Sequence, residues 1–202
     1  GGHVYSDEIY HGLEYGDPSA TALKYSENAF VINSFSKYFG MTGWRVGWLI
    51  VPEYCTEAVE KLAQNIFIST PTHSQYAALA AFDENTLFEL DRRRLEFKAR
   101  RDYLYERLIE LGFVVAAKPE GAFYIYADCS RFTNDSYRFS KDLLEVEGVA
   151  ITPGMDFGEN KAETFVRFAY TTSIEKLEEG MDRMERFLVK RGLNDGKANF
   201  SD

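Results

Sequence analysis

The chain has 202 residues, of which 45% are hydrophobic, 15% aromatic and 27% charged, with a formal net charge of −9. Such a composition builds an apolar core and excludes disordered, collagen-like and low-complexity classes. The acidic balance offers no basic face to a phosphate backbone, so nucleic acid is not expected as a partner. The densest basic stretch, Arg92, Arg93, Arg94, Lys98, Arg100 and Arg101, is interrupted by Asp91, Glu96 and Asp102 and reads as a solvated helix face. Cys55 and Cys129 lie far apart and match no metal-ligand spacing with His3, His11 or His73, a pattern of free thiols, no metal and a cytoplasmic location. The longest apolar run, Val46 to Val51, is too short for a membrane span.

The chain opens on Gly1-Gly2, without an initiator Met, and passes straight into an extended stretch, His3 to Ser6, as expected of a fragment of a longer protein. Phe30 to Asn33 and Arg45 to Val51, the latter ended by Pro52, read as buried strands. Apolar spacing predicts helices over Glu53 to Ile66 and over His73 to Phe82, where Thr70-Pro71-Thr72 supplies a start signal. Leu87, Leu90, Leu95, Tyr103, Leu104, Leu108 and Leu111 mark one long amphipathic helix, about 86–111, stopped by Gly112. Phe113 to Val115 and Ala122 to Tyr126 read as a hairpin around Pro119-Glu120-Gly121. A helix over Tyr137 to Val146, an extended Val149 to Ile151, a Pro153-Gly154 turn, a strand over Phe165 to Tyr170 and a helix over Ile174 to Val189 follow, then a polar, fraying tail from Gly192. This mixture is an α/β chain with a boundary near residue 90, giving domains 1–90 and 91–202, the second a smaller α+β region. Trp44 and Trp48 read as core residues, and the histidines as structural or solvated.

The chemistry concentrates in Asn33-Ser34-Phe35-Ser36-Lys37-Tyr38-Phe39-Gly40-Met41-Thr42-Gly43-Trp44-Arg45. Ser34 and Ser36 offer hydroxyls, Gly40 and Gly43 a close backbone approach, and Arg45 a guanidinium fork, the donors that a phosphate dianion needs. Lys37 sits among them. An amine near cations and away from water is driven toward its neutral form, which attacks carbonyls to give a Schiff base. Amine and phosphate cradle together point to a phosphorylated aldehyde. Upstream, Asp7 and Tyr10 flank Ile9 at a strand end, where a carboxylate can hold a pyridine nitrogen protonated, a phenol can reach a ring hydroxyl and Ile9 can lie against a ring face.

Ser6-Asp7-Glu8-Ile9-Tyr10, Ser34-x-Ser36-Lys37 with Gly43-Trp44-Arg45-x-Gly47, Pro119-x-Gly121-Ala122-Phe123-Tyr124 and Val166-Arg167-Phe168-Ala169-Tyr170 together resemble the class I/II aminotransferases, fold-type I pyridoxal-phosphate enzymes. The resemblance runs from residue 3 to about residue 190 and covers the second half of such an enzyme. It implies part of a large cofactor domain with a mainly parallel sheet and flanking helices, followed by a small α+β domain. It implies pyridoxal 5'-phosphate as cofactor, with Lys37 as its Schiff-base partner and proton shuttle. Asp7 would pair with the ring nitrogen, Tyr10 with the phenolic oxygen, Ile9 with a ring face, and Ser34, Ser36 and Arg45 with the phosphate. Arg167 would bind the substrate carboxylate, and Gly121 to Tyr124 would line the cleft from the small-domain side. The substrates implied are an L-amino acid, of aspartate or aromatic type, and a 2-keto acid, turned over by a homodimer with sites at its interface.

The phosphate-capping Gly/Ser loop, the ring-stacking aromatic and the Asn-Pro-x-Gly turn of the family's first half are not in this sequence, so the chain alone is expected to be inactive. Two alternatives share the resemblance. One is a C–S β-lyase, which would release thiol from cystathionine without a keto acid. The other is a non-catalytic effector domain of a transcription regulator, which would follow a basic winged-helix segment.

Overall fold

The computed structural model describes residues 2–193; from residue 194 on, the expected fraying tail lies outside the described residues. They divide into two compact units. The first runs to Leu95 and includes Glu120–Ala122; the second takes Glu96–Pro119 and the chain from Phe123 on.

In the first unit, β1 (Val4–Asp7), β2 (Ala29–Ser34) and β3 (Gly47–Ile50) form one sheet in that order. β1 lies parallel to β2, with Asp7 opposite Ile32, and β3 antiparallel to it, with Gly47 opposite Ser34. The parallel expectation thus describes one of the two pairings. The connection from Phe35 to Val46 holds only a 3-10 turn, Thr42–Trp44, and no α-helix to carry a parallel crossover, so the chain reverses. Gly47 is fixed by that reversal, because a Cβ there would sit 2.7 Å from the Asn33 carbonyl oxygen.

Two helices follow, α1 (Thr56–Ile66) and α2 (Thr72–Ala80). Ala78 of α2 and the following Ala81 pack with Phe35 and Met41, while Ala29, Phe30 and Val31 make the first half of β2 its buried part. β3 is not the buried strand expected from its composition. Trp48, Leu49 and Ile50 are all exposed, and Trp44 is 44% exposed, because β3 is an edge with a single strand neighbour. Trp48 meets Phe35 edge-on, with centroids 5.3 Å apart.

The long helix α3 (Glu84–Leu111) begins in the first unit and ends in the second, where Leu104, Leu108 and Leu111 are buried. Gly112, at φ +96°, stops it in a conformation that side chains disfavour. The second unit then forms β4 (Tyr124–Asp128), α4 (Ser136–Glu147), β5 (Thr152–Pro153), β6 (Phe165–Ala169) and α5 (Ile174–Lys190). Its sheet is antiparallel in the order β4-β6-β5.

The hairpin expected around Pro119-Glu120-Gly121 does not form. Phe113 to Val115 contributes a single bridge, Val114 to Asp128, and β4 pairs along its whole length with β6. That pairing buries Ile125 and Ala127 with Val166 and Phe168, while the Phe113 ring is drawn into the core against Phe132 and Phe168. Val149 to Ile151 likewise stays outside the sheet, whose third strand begins at Thr152.

α4 and α5 cover this sheet with Phe139, Leu143, Leu177, Met181, Met184, Phe187 and Leu188. The Asp135 side chain caps α4 by accepting from the Arg138 N–H at 2.9 Å, and Gly148 closes it at φ +68°. Both cysteines are free thiols; Cys129 is fully buried and donates to the Thr164 carbonyl at 3.2 Å. Burial, with the Asp128 charge, pushes that thiol up to about 12. Among the described residues no helix is long and apolar enough to cross a membrane.

Candidate active site

Parallel strands carry their following loops to the same edge of a sheet, where α/β proteins bind ligands. β1 and β2 run parallel, so the turn after Asp7 and the loop after Ser34 emerge together. Arg45 reaches the same edge from the other direction, two residues before Gly47, which stands opposite Ser34. The ammonium of Lys37 lies 5.5 Å from the centre of the Tyr10 ring, and the two loops meet there.

Within the lysine loop the donors are tied into one cluster. Ser34 Oγ donates to Ser36 Oγ at 2.9 Å and accepts from the Ser36 N–H at 3.1 Å. Thr42 donates to the Ser36 carbonyl at 2.7 Å, and Arg45 Nη1 to the Thr42 carbonyl at 2.7 Å. Arg45 adopts φ +52°, a left-handed conformation costing a non-glycine residue about 1–3 kcal/mol and held by its surroundings. Gly40, at φ +66°, needs glycine for its backbone, whereas a Cβ on Gly43 would meet open space. Two hydroxyls, a guanidinium and an amine at the mouth of a sheet fit a phosphorylated aldehyde. Asp7 is exposed at the end of β1, accepting from the Ile9 N–H at 3.3 Å, and Ile9 and Tyr10 follow it half-buried.

Three features of this edge go beyond what the sequence shows: two residues not singled out and one pairing not foreseen. Glu8, beside Asp7, points the opposite way and is 5% exposed. Its carboxylate accepts from Ser6 Oγ at 3.0 Å, Thr21 Oγ1 at 3.1 Å and the Ala22 N–H at 2.8 Å, and His11 Nδ1 lies 3.4 Å away. It pins the Asp7-to-Tyr10 turn to the segment before β2. Period-2 alternation along β1 is the signal that separates it from Asp7.

The second feature is Gly12, at φ +91°. A Cβ there would sit 2.7 Å from Cγ of Tyr38, whose hydroxyl donates to Asp91 at 3.3 Å, so the residue after Lys37 seats directly on the β1 turn. The third is a pairing of Gly121 and Ala122 with Leu13 and Glu14 in the first unit, rather than in the second as expected. The Ala122 N–H donates to the Leu13 carbonyl at 3.1 Å, and the Tyr15 hydroxyl donates to the Ala122 carbonyl.

Burial raises the Glu8 pKa, but hydrogen bonds from Ala22, Thr21 and Ser6 and the charge of His11 outweigh it and hold it below the ordinary carboxylate value. A depressed folded pKa contributes stability that is full above the unfolded value, near 4.5, and is lost as pH falls through the folded one. Glu8→Gln is therefore expected to cost about 1–3 kcal/mol at neutral pH, with the gap to wild type closing in acid, measured by urea unfolding at several pH values. A gap independent of pH would remove the charge from the account.

Arg167, in the second unit, stands mid-strand on β6, opposite Tyr126 of β4 and Thr152 of β5. Its guanidinium lies between two aromatic faces, 4.1 Å from the centre of Tyr124 and 4.4 Å from that of Phe157. Its Nε is buried with no hydrogen-bond partner among the described residues.

A family model for class I and II aminotransferases matches residues 1–184. A valine–pyruvate aminotransferase of Mycobacterium tuberculosis is 43% identical over 185 residues, 91% of this chain and 48% of the relative. A (5-formylfuran-3-yl)methyl phosphate transaminase of Methanocaldococcus jannaschii is 40% identical over 93% of this chain and 50% of its own. Among solved structures, an aminotransferase from Mycobacterium tuberculosis superposes with a TM-score of 0.90 at 42% identity, covering 93% of this chain and 49% of that one. The aromatic aminotransferase of Pyrococcus horikoshii OT3 gives 0.85 at 36% identity, over 94% and 52%. The chain spans about half the length of the curated relatives it matches.

Proposed function

We propose, because this chain belongs to the class I and II aminotransferase family, that the protein carrying it transfers an amino group between an L-amino acid and a 2-keto acid with pyridoxal 5'-phosphate. The observation that carries the reading is the approach of Lys37 to Tyr10, which brings the amine of one loop to the carboxylate-bearing turn of the other. When bound, the cofactor supplies an electron sink that acidifies the substrate's Cα–H.

Each residue then has one task. Ser34 and Ser36 donate hydroxyls and Arg45 its guanidinium to the phosphate, fixing the ring's position. Asp7 keeps a proton on the ring nitrogen, Tyr10 donates to the phenolic oxygen, and Ile9 covers one ring face. Lys37 takes the proton from Cα and delivers it again on the far side of the transfer. Arg167 binds the substrate carboxylate through its two-pronged fork.

The relatives are named for valine, aspartate, aromatic and other substrates, so the donor here is proposed only as an L-amino acid, with aspartate and aromatic types the first to assay. A cytoplasmic homodimer that completes the site from residues outside this chain belongs to the same proposal. The test loads the intact protein with pyridoxal phosphate, reduces it with borohydride and maps the modified lysine by peptide mass. A pyridoxyl group on Lys37 is expected; a folded, loaded protein modified elsewhere or nowhere would overturn the assignment.

A further inference from the structure

We propose that Tyr124 and Phe157 are positioning residues for Arg167, holding its guanidinium between their ring faces so that a substrate carboxylate meets a fork already oriented. The proposal rests on the reading of Arg167 as the carboxylate anchor.

Several other arginines of this unit pair with acids. Arg107 lies against Glu110 and Glu185, Arg183 against Glu179, Arg186 against Glu147 and Arg191 against Asp142. Arg167 has no such acid among the described residues. Its neighbours are two π faces, and its Nε–H is enclosed without an acceptor. Two aromatic plates attract a cation through their quadrupoles without consuming any N–H donor, whereas a carboxylate partner would consume two. An enclosed donor left unpaired is unfavourable, and an arriving acceptor can recover that cost. The charge is stabilised and the donors are kept for a ligand.

The plates are themselves braced. Tyr126 meets Phe157 edge-on, with centroids 6.0 Å apart, and stacks on Phe165 at 4.9 Å, while Tyr124 packs against Phe123 at 4.5 Å. Tyr124 is fixed by β4, and Phe157 follows the 3-10 turn Gly154–Asp156, so the two rings that meet Arg167 come from separate segments. A guanidinium packed in this way retains little freedom to lose when a ligand binds, and affinity rises as that cost falls.

The test uses the intact, cofactor-loaded protein. Tyr124→Leu and Phe157→Leu keep apolar bulk but remove the π faces, and each is expected to raise KM for the amino acid about tenfold with kcat changed less than about threefold. Tyr124→Phe and Phe157→Tyr, which keep the faces, are expected to stay within about twofold of wild type. Inhibition constants for two amine-free carboxylates, succinate and 3-phenylpropanoate, give a readout independent of turnover. The better inhibitor of the wild type is expected to weaken in parallel with KM. Phe157 is 46% exposed, so its leucine variant is expected to fold.

Arg167→Lys separates the two claims. If it raises KM and the leucine variants do not, the positioning role is overturned and the anchor stands. If it leaves KM unchanged, the anchor reading fails and this proposal with it. Leucine variants that lower kcat at constant KM would also overturn the positioning role.

Discussion

Lys37→Ala is expected to abolish turnover of the intact protein, by at least about four orders of magnitude, while leaving its fold in place. The residue sits half-buried in the loop between β2 and β3 and contributes nothing to the Phe35–Met41–Ala78–Ala81 cluster beneath, so truncation there is expected to change stability by no more than about 0.5 kcal/mol. Ser34, Ser36, Arg45, Asp7 and Tyr10 remain, and the variant is expected to retain cofactor absorbance after dialysis while borohydride fixes none of it to the chain. The pairing of retained binding with lost fixation assigns the amine its role. Near-normal turnover in this variant would sink the aminotransferase reading. Loss of binding together with turnover would place Lys37 in the cofactor cradle and leave the proton-shuttle role without support.

The candidate site can be read from the sequence because its residues are local in it. Ser34 to Arg45 is one loop and Asp7 to Tyr10 one turn, and a polar run between apolar strands exposes such loops to reading. Their convergence depends on a parallel pairing of β1 with β2, which the chemistry of the residues required and the register of Asp7 with Ile32 provides. Contacts between distant segments were not legible. Nothing in Gly12 alone announces that Tyr38 will occupy the space above it, and Phe157 shows no sign of lying over Arg167 until β5 and β6 are paired.

The misread elements share a cause. Trp44, and Trp48 with the rest of β3, read as core because apolar runs usually are, yet hydrophobicity reports what a segment can bury and not what is present to bury it. β1 and β3 are both edges, and Val4, Tyr5, Leu49, Ile50, Ile66, Phe67 and Ile68 are all exposed in the first unit. In the second unit, where the sheet is covered by α4 and α5, the same kind of residue is buried as the pattern predicts, from Ile125 and Val166 to Met184 and Phe187. A chain about half as long as its relatives shows a well-covered sheet in one unit and a thinly covered one in the other.

Phe113→Ala is expected to be the most destabilising of these substitutions, at about 3–5 kcal/mol in urea unfolding. The ring is 2% exposed, with Phe132 at 4.8 Å and Phe168 at 5.4 Å between centroids, and the residue follows directly on the Gly112 stop of α3. Removing it leaves a cavity bounded by a helix end and a strand, both held by their own hydrogen bonds, so collapse can recover only part of the loss. Its neighbour Val114 provides the contrast. It is 63% exposed and contributes one backbone bridge to Asp128, which alanine retains, so Val114→Ala is expected to cost less than about 0.5 kcal/mol. Successive side chains on an extended segment point to opposite faces, so burial of Phe113 leaves Val114 turned outward. The structure makes one a core anchor and the other a surface residue. Comparable losses at both positions would mean that Val114 is enclosed as Phe113 is, and would overturn the burial contrast between them.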